Sequence, residues 1–171
     1  MTRPVDMMRQ LAPQVLMASP HAAAIGMEVV SIDPAEAVLK VGFRPDLVGD
    51  PDTGVIAGGV VTALLDHTCG QSVMSALDSY QPIATLDLRI DYMRPAGPGL
   101  AIFCHAHCYK VTRSVAFVRA QAYDLDREDP VATAQAAFML NANSAMSPAE
   151  TIARALGHAS PASPSSAEAK A

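Results

Sequence analysis

Apolar and polar positions alternate with period two over much of this chain, and one segment breaks that rhythm. In 36–44, Ala37, Leu39, Val41 and Phe43 alternate with Val38, Lys40 and Gly42, the spacing of a strand with one buried face. In 83–94, Ala84, Leu86, Leu88, Ile90 and Tyr92 fall on one face, and Thr85, Asp87, Arg89 and Asp91 on the other. In 100–110, Leu100, Ile102, Cys104, Ala106 and Cys108 oppose Phe103, His105, His107 and Tyr109. Residues 114–124 and 130–141 complete this set, separated by the charged turn 125–129, and 24–32 adds a strand that ends at the turn Asp33-Pro34.

The exception is 58–77, which is apolar nearly all round and reads as a long helix enclosed by other elements. Residues 5–17 have helix-forming composition, broken at Pro13. Ser19-Pro20 begins a loop or short turn, and 45–54 is a polar loop rich in Pro, Gly and Asp. Residues 149–156 suit a short helix, and from about Gly157 the chain is Ala, Ser and Pro with little to bury, which predicts disorder. The expected organisation is a helical lead-in over 1–23, one domain over 24–145 and a tail over 146–171. Consecutive strands with short links pair antiparallel, and one apolar helix is available to cover the sheet. The predicted class is α+β: a curved antiparallel sheet wrapped around one long central helix.

Composition narrows the function. A formal net charge of −5 argues against a nucleic-acid binder, yet leaves room for a phosphorylated small ligand held by a few local cations. Three cysteines make no disulfide framework, and no apolar run reaches the ~18 residues of a membrane span. The first ten residues lack the order of a signal peptide. The expectation is a cytoplasmic protein with reduced thiols that engages neither membrane nor nucleic acid.

The chemistry concentrates in GVIAGGVVTALLDHTCG, residues 54–70. Gly58 and Gly59 stand at the helix mouth, where unsatisfied N–H groups and the positive end of the dipole suit a developing oxyanion. They equally suit a tight turn into the helix. Asp66 lies inside the helix, where a carboxylate without partners costs several kcal/mol. It reads either as a catalytic acid or as a structural carboxylate bonded to Thr62, Thr68 or a partner chain. Asp66 sits seven residues after Gly59, hence ~10 Å further along the axis, too far for both to touch one reacting carbon. A second copy of the helix running antiparallel would bring one Asp66 near the other's Gly58, which predicts a homodimer with shared sites.

His67 points about 100° away from Asp66 around the helix and reads as a packing residue. Cys104, His105, His107 and Cys108 resemble a metal set in print, but strand alternation sends the cysteines to one face and the histidines to the other, so no metal site is expected. Cys69 has no general-base candidate nearby other than His67, and nothing else supports a nucleophilic role for it. Arg89, Arg94, Lys110, Arg113 and Arg119 are candidate phosphate contacts, Arg113 first because it begins a strand beside a turn. Val55, Ile56, Val73 and Met74 could line an apolar pocket.

Five pieces in order resemble the hotdog fold and, within it, the PaaI-type acyl-CoA thioesterases: GDPDTGVIAGG (49–59), VVTALLDHTCG (60–70), DYMRPAGPG (91–99), RSVAFVRAQAYD (113–124) and VATAQAAFML (131–140). The resemblance implies hydrolysis of an acyl-CoA, with the Gly58 N–H as main oxyanion donor and Asp66 of the partner subunit as base or nucleophile. Asp50, Val55, Ile56, Ala57, Thr68 and Arg113 then serve the substrate. It also implies a homodimer, assembled further into a dimer of dimers, and no cofactor, because CoA belongs to the substrate. The family's usual His-Gly-Gly is Ala57-Gly58-Gly59 here, and a loop position that is often Asn is Asp50. Two other functions stay open on the same fold: a non-catalytic acyl-CoA binding module, suggested by Ala57, and a hydratase using the Asp66-His67 pair.

Overall fold

The computed structural model describes residues 4–79 and 81–140. The proposed tail 146–171, with its short helix, and the end of the proposed domain lie outside them. The central element is a helix, α3, over Gly58–Ala76. A six-stranded antiparallel sheet curves around it: β1 (Met27–Asp33), β2 (Glu36–Val41), β5 (Ile83–Tyr92), β6 (Ile102–Val111), β7 (Val115–Tyr123) and β8 (Ala132–Leu140). Their order across the sheet is β1-β2-β6-β7-β8-β5. Consecutive β5 and β6 therefore do not pair, although their link is short. β6 bonds β2 on one side and β7 on the other, and β5 is carried across to the far edge, beside β8.

The loop predicted over 45–54 is more ordered than expected. It holds a single 3-10 turn, Pro45–Leu47, and then two short paired strands, β3 (Val48–Asp50) and β4 (Val55–Ile56). These deliver the chain to the start of α3.

Inward positions of β7 and β8 are mostly alanine: Ala116, Ala120 and Ala122 on one strand, and Ala132, Ala134 and Ala136 on the other. Such small side chains let a helix lie close, and Leu64, Leu65, Cys69 and Val73 of α3 are fully buried. Buried hydroxyls on α3 bond carbonyls of their own helix: Thr68 to Leu64 at 2.6 Å, Ser72 to Cys69 at 2.8 Å and Ser75 to Ser72 at 3.0 Å. Their burial therefore leaves no donor unmet.

The lead-in differs from its prediction. Helix α1, Pro4–Met17, continues through Pro13, and Pro20–Ala24 forms a short helix, α2, capped by the Ser19 hydroxyl. An interior proline costs about 3 kcal/mol. Against it, Val5, Met8, Ala12 and Leu16 form one buried stripe, and each large apolar side chain contributes about 1.5–3 kcal/mol. The stripe outweighs the proline, and Arg9 fixes α1 further by donating from Nε to the Ile32 carbonyl at 2.6 Å.

Strand β5 carries the deviation with most consequence. Its pairing with β8 slips between Thr85 and Asp87, placing a β-bulge at Leu86. Strict alternation would put Thr85 on the outer face with Asp87, Arg89 and Asp91. Because of the bulge, Thr85 pairs with inward Phe138, while Leu88, Ile90 and Tyr92 pair with inward Ala136, Ala134 and Ala132. Thr85 and Tyr92 thus both face α3, and Leu86 is left 56 % exposed on a sheet edge that no other described strand pairs.

Candidate active site

Helix α3 begins at Gly58 with Ala57 as its N-cap, and no side chain caps it. Ala57 itself is half-buried, its N–H donating to the Leu47 carbonyl at 2.9 Å. The Gly58 and Gly59 N–H groups have no acceptor within the helix, and both residues are exposed, whereas the Val60 N–H already bonds the Ala57 carbonyl at 3.0 Å. Beyond the Gly59 Cα there is open space where a side chain would stand. A ligand can reach this backbone closely.

Tyr92, at the end of β5, leans over this mouth. Its hydroxyl donates to the Gly58 carbonyl at 2.7 Å and lies 2.9 Å from the Thr62 hydroxyl, which also bonds that carbonyl at 3.1 Å. Behind Gly58 opens a cavity of about 390 Å³, lined by Val55, Ile56, Val61, Tyr92, Met93 and the 94–96 segment together with Val131. The chain brings Gly58, Val55 and Ile56 to one place; Val73 and Met74 lie further along α3 and do not line it.

One wall of that cavity is fixed by ions. Asp124, nearly buried, receives two bonds from Arg94 (Nη1 at 2.9 Å, Nη2 at 2.6 Å) and one each from the Gly97 and Leu125 amides at 2.8 and 2.7 Å. Arg94 also donates to the Asp129 carbonyl at 2.7 Å. The guanidinium and the two amides hold the Asp124 carboxyl well below the usual carboxylate range, against the opposing effect of burial. The 93–100 segment is thereby tied to the end of β7. Arg94 is therefore a structural cation, not a free phosphate contact.

Asp66 sits two turns from the mouth, half-buried on the side of α3 that faces β5. Its Oδ1 accepts a bond from the Thr85 hydroxyl at 2.8 Å. Neither Thr62 nor Thr68 serves it. Burial pushes the adjacent His67 imidazole below its ordinary value; the Asp66 carboxylate opposes this, and His21 reinforces it.

Three other expected site residues lie elsewhere in the protomer. Thr68 is fully buried against the sheet. Asp50 organises its own turn, accepting from the Asp52 amide at 3.1 Å and the Thr53 hydroxyl at 3.0 Å. Arg113 is exposed in the β6–β7 turn and does not line the cavity. Cys104 and Cys108 face α3, whereas His105 and His107 face outward, and among the described residues no three His, Cys, Asp or Glu converge as metal ligands. Nor is any described helix long and apolar enough to cross a membrane.

Sequence reasoning missed Tyr92, Thr85 and Asp124 as site elements. The DYMRPAGPG motif flagged the region of Tyr92. No periodic signal marks a bulge, so Thr85 was hidden.

Comparison with known proteins agrees with this architecture. Residues 53–131 match the sequence model of the Thioesterase superfamily. The medium/long-chain acyl-CoA thioesterase YigI of Salmonella typhimurium is 28 % identical over 134 residues, covering 71 % of this chain and 85 % of that protein; the Escherichia coli K12 protein of the same name matches equally. A crystal structure of a Pseudomonas aeruginosa protein is 38 % identical, with a TM-score of 0.71, over 77 % of this chain and 98 % of that one. The phenylacetic acid degradation protein PaaI of Thermus thermophilus, solved as a point variant, is 26 % identical with a TM-score of 0.62, over 71 % and 98 %. An enclosed helix with a glycine mouth, a sheet in the order β1-β2-β6-β7-β8-β5 and these likenesses lead to one assignment: the chain has the hotdog fold of the thioesterase superfamily, whose sequence model it matches over 53–131.

Proposed function

We propose that this protein hydrolyses acyl-CoA thioesters to the free acid and CoA, in active sites shared between two subunits. The observation that carries the reading is the placement of Asp66: a carboxylate held by Thr85 beside the β5 edge, on the same helix as an uncapped glycine mouth. One helix cannot bring both groups to one carbon, because eight residues of helix separate Gly58 and Asp66 by about 12 Å. A two-fold pairing of β5 edges sets the two α3 helices antiparallel and places Asp66 of the partner subunit opposite Gly58.

In this arrangement the thioester oxygen accepts the Gly58 N–H, supported by Gly59, as it gains negative charge. Asp66 of the partner subunit works at the carbonyl carbon. It either takes a proton from an attacking water or attacks itself, giving an anhydride that water then opens. In both routes the C–S bond breaks and the CoA thiolate leaves with a proton. Burst kinetics separate them: only the covalent route releases CoA ahead of acid.

The apolar cavity behind Gly58 takes the acyl chain, and the names of the YigI relatives support medium- to long-chain acyl groups. No metal or cofactor enters this scheme. Dimers pair further into tetramers, and three unpaired thiols suit a cytoplasmic setting.

A panel of acyl-CoAs with detection of free thiol tests the proposal. Hydrolysis that disappears in Asp66→Asn supports it, and absence of hydrolysis across the panel refutes it. A second reading, an acyl-CoA binding module without turnover, draws on Ala57, which leaves the helix mouth without a side-chain cap. Tight binding with no thiol release would favour that reading.

A further inference from the structure

We propose that the outer face of the sheet carries a second site, which binds a small molecule through a diphosphate group. It lies on the opposite side of the sheet from the acyl cavity and shares no residue with it.

The outer positions of three central strands build two polar rows. His107, Arg119 and Gln135 are register partners in one row, and His105, Gln121 and Thr133 in the next. They line a cavity of about 390 Å³, closed at one side by Arg127 from the β7–β8 turn. Outward polar residues are ordinary on a sheet with one wet face. A concavity with this distribution of charge is not.

Two carboxylates also line the cavity, and each already has a partner. Glu36 lies 3.3 Å from His105 Nε2, and Asp91 lies 3.1 Å from Arg89. The two arginines do not. Arg119 stacks on the Tyr109 ring, 4.7 Å from its centroid, and Arg127 donates from Nε to Gln121 at 3.2 Å. Among the described residues neither meets a carboxylate, in a chain whose net charge is −5.

Both guanidiniums are thus positioned by neutral groups, with their remaining N–H donors uncommitted. Two such forks on one cavity match two linked oxyanions, because planar guanidinium donors pair bidentately with phosphoryl oxygens. Gln121, Gln135 and Thr133 supply neutral donors between them. The cavity is larger than one phosphate needs, so it accepts a diphosphate with an organic group attached.

Calorimetric titration of the full-length protein with inorganic pyrophosphate, and separately with ADP, tests the proposal. The expected result is saturable binding of both, weakened about tenfold or more in Arg119→Gln and in Arg127→Gln, and unchanged in Asp66→Asn. Both arginines are exposed, so the variants should fold, which circular dichroism checks. Tighter binding of ADP than of pyrophosphate would place the organic group in the cavity, and equal affinity would assign the site to the diphosphate alone. No saturable binding, or equal affinity in the arginine variants, would overturn the proposal. Displacement of pyrophosphate by free CoA would also overturn it, by returning the site to the substrate. So would a changed oligomeric mass in Arg119→Gln without ligand binding, which would give this face to a second copy of the chain. Because binding is read without turnover, failure here is distinct from failure of the thioesterase reading.

Discussion

The Thr85 hydroxyl donates to Asp66 Oδ1 at 2.8 Å, joining an edge strand to the middle of the central helix. Two consequences follow from that bond. It anchors the carboxylate rotamer, and it leaves the second carboxylate oxygen without a side-chain donor among the described residues. A base or nucleophile needs such a free oxygen, held in place by its neighbour. Asp66→Asn should keep the fold and lower kcat by about 10²–10⁴. Near-normal turnover in that variant would remove Asp66 from the chemistry.

Thr85 acts through Asp66, so its effect should be smaller and chemically specific. Thr85→Val keeps the shape and removes the donor. We expect kcat to fall about tenfold, with KM nearly unchanged. Thr85→Ser should restore most of the loss. A Ser variant as poor as Val would mean that the methyl group, not the hydroxyl, matters.

The β5 edge offers a test of assembly. Leu86 is a large apolar side chain at a strand edge, 56 % exposed in the single chain. In the proposed dimer, Leu86→Glu puts a charge from each subunit on the paired β5 edges. Sedimentation should show a shift toward monomer, with thioesterase activity lost in parallel. Full activity in a monomeric variant would end the shared-site arrangement.

The Arg94–Asp124 pair predicts an acid-sensitive fold. Asp124 has a folded-state affinity for protons below that of an ordinary carboxyl. Its stabilising effect is therefore complete above the unfolded value of about 3.9 and is lost as pH falls below it. Asp124→Asn removes the bidentate partner of Arg94, leaving it only Asp129, and should lower stability measurably at neutral pH. Denaturant melts of both proteins should converge as the pH is lowered toward 2. Parallel curves across that range would assign the acid sensitivity to other groups.

The three cysteines should be silent in the native protein. Burial pushes the Cys104 thiol up to about 12, raises Cys69 well above its ordinary value and raises Cys108 as well. A thiol-reactive dye at pH 8 should label almost none of them before denaturant is added, then all three. Rapid native labelling would show that the sheet opens around α3.

Periodicity alone established the six long strands, the enclosed helix and the antiparallel curved sheet. The inward face of β6, from Ile102 to Cys108, was legible residue by residue, because alternation is a local property of an extended chain. The glycine mouth was legible too, since Gly58-Gly59 before an apolar run marks a helix start wherever it lies. The faces of β5 were not. A bulge at Leu86 depends on how β5 registers with β8, a pairing made far along the chain, and composition carries no trace of it. Tertiary structure alone decided that Thr85 turns inward to Asp66, that Tyr92 closes over Gly58 and that Arg94 finds Asp124. Local sequence sets which positions want to be buried. Long-range register decides which neighbours they meet, and the candidate chemistry of this protein depends on those meetings.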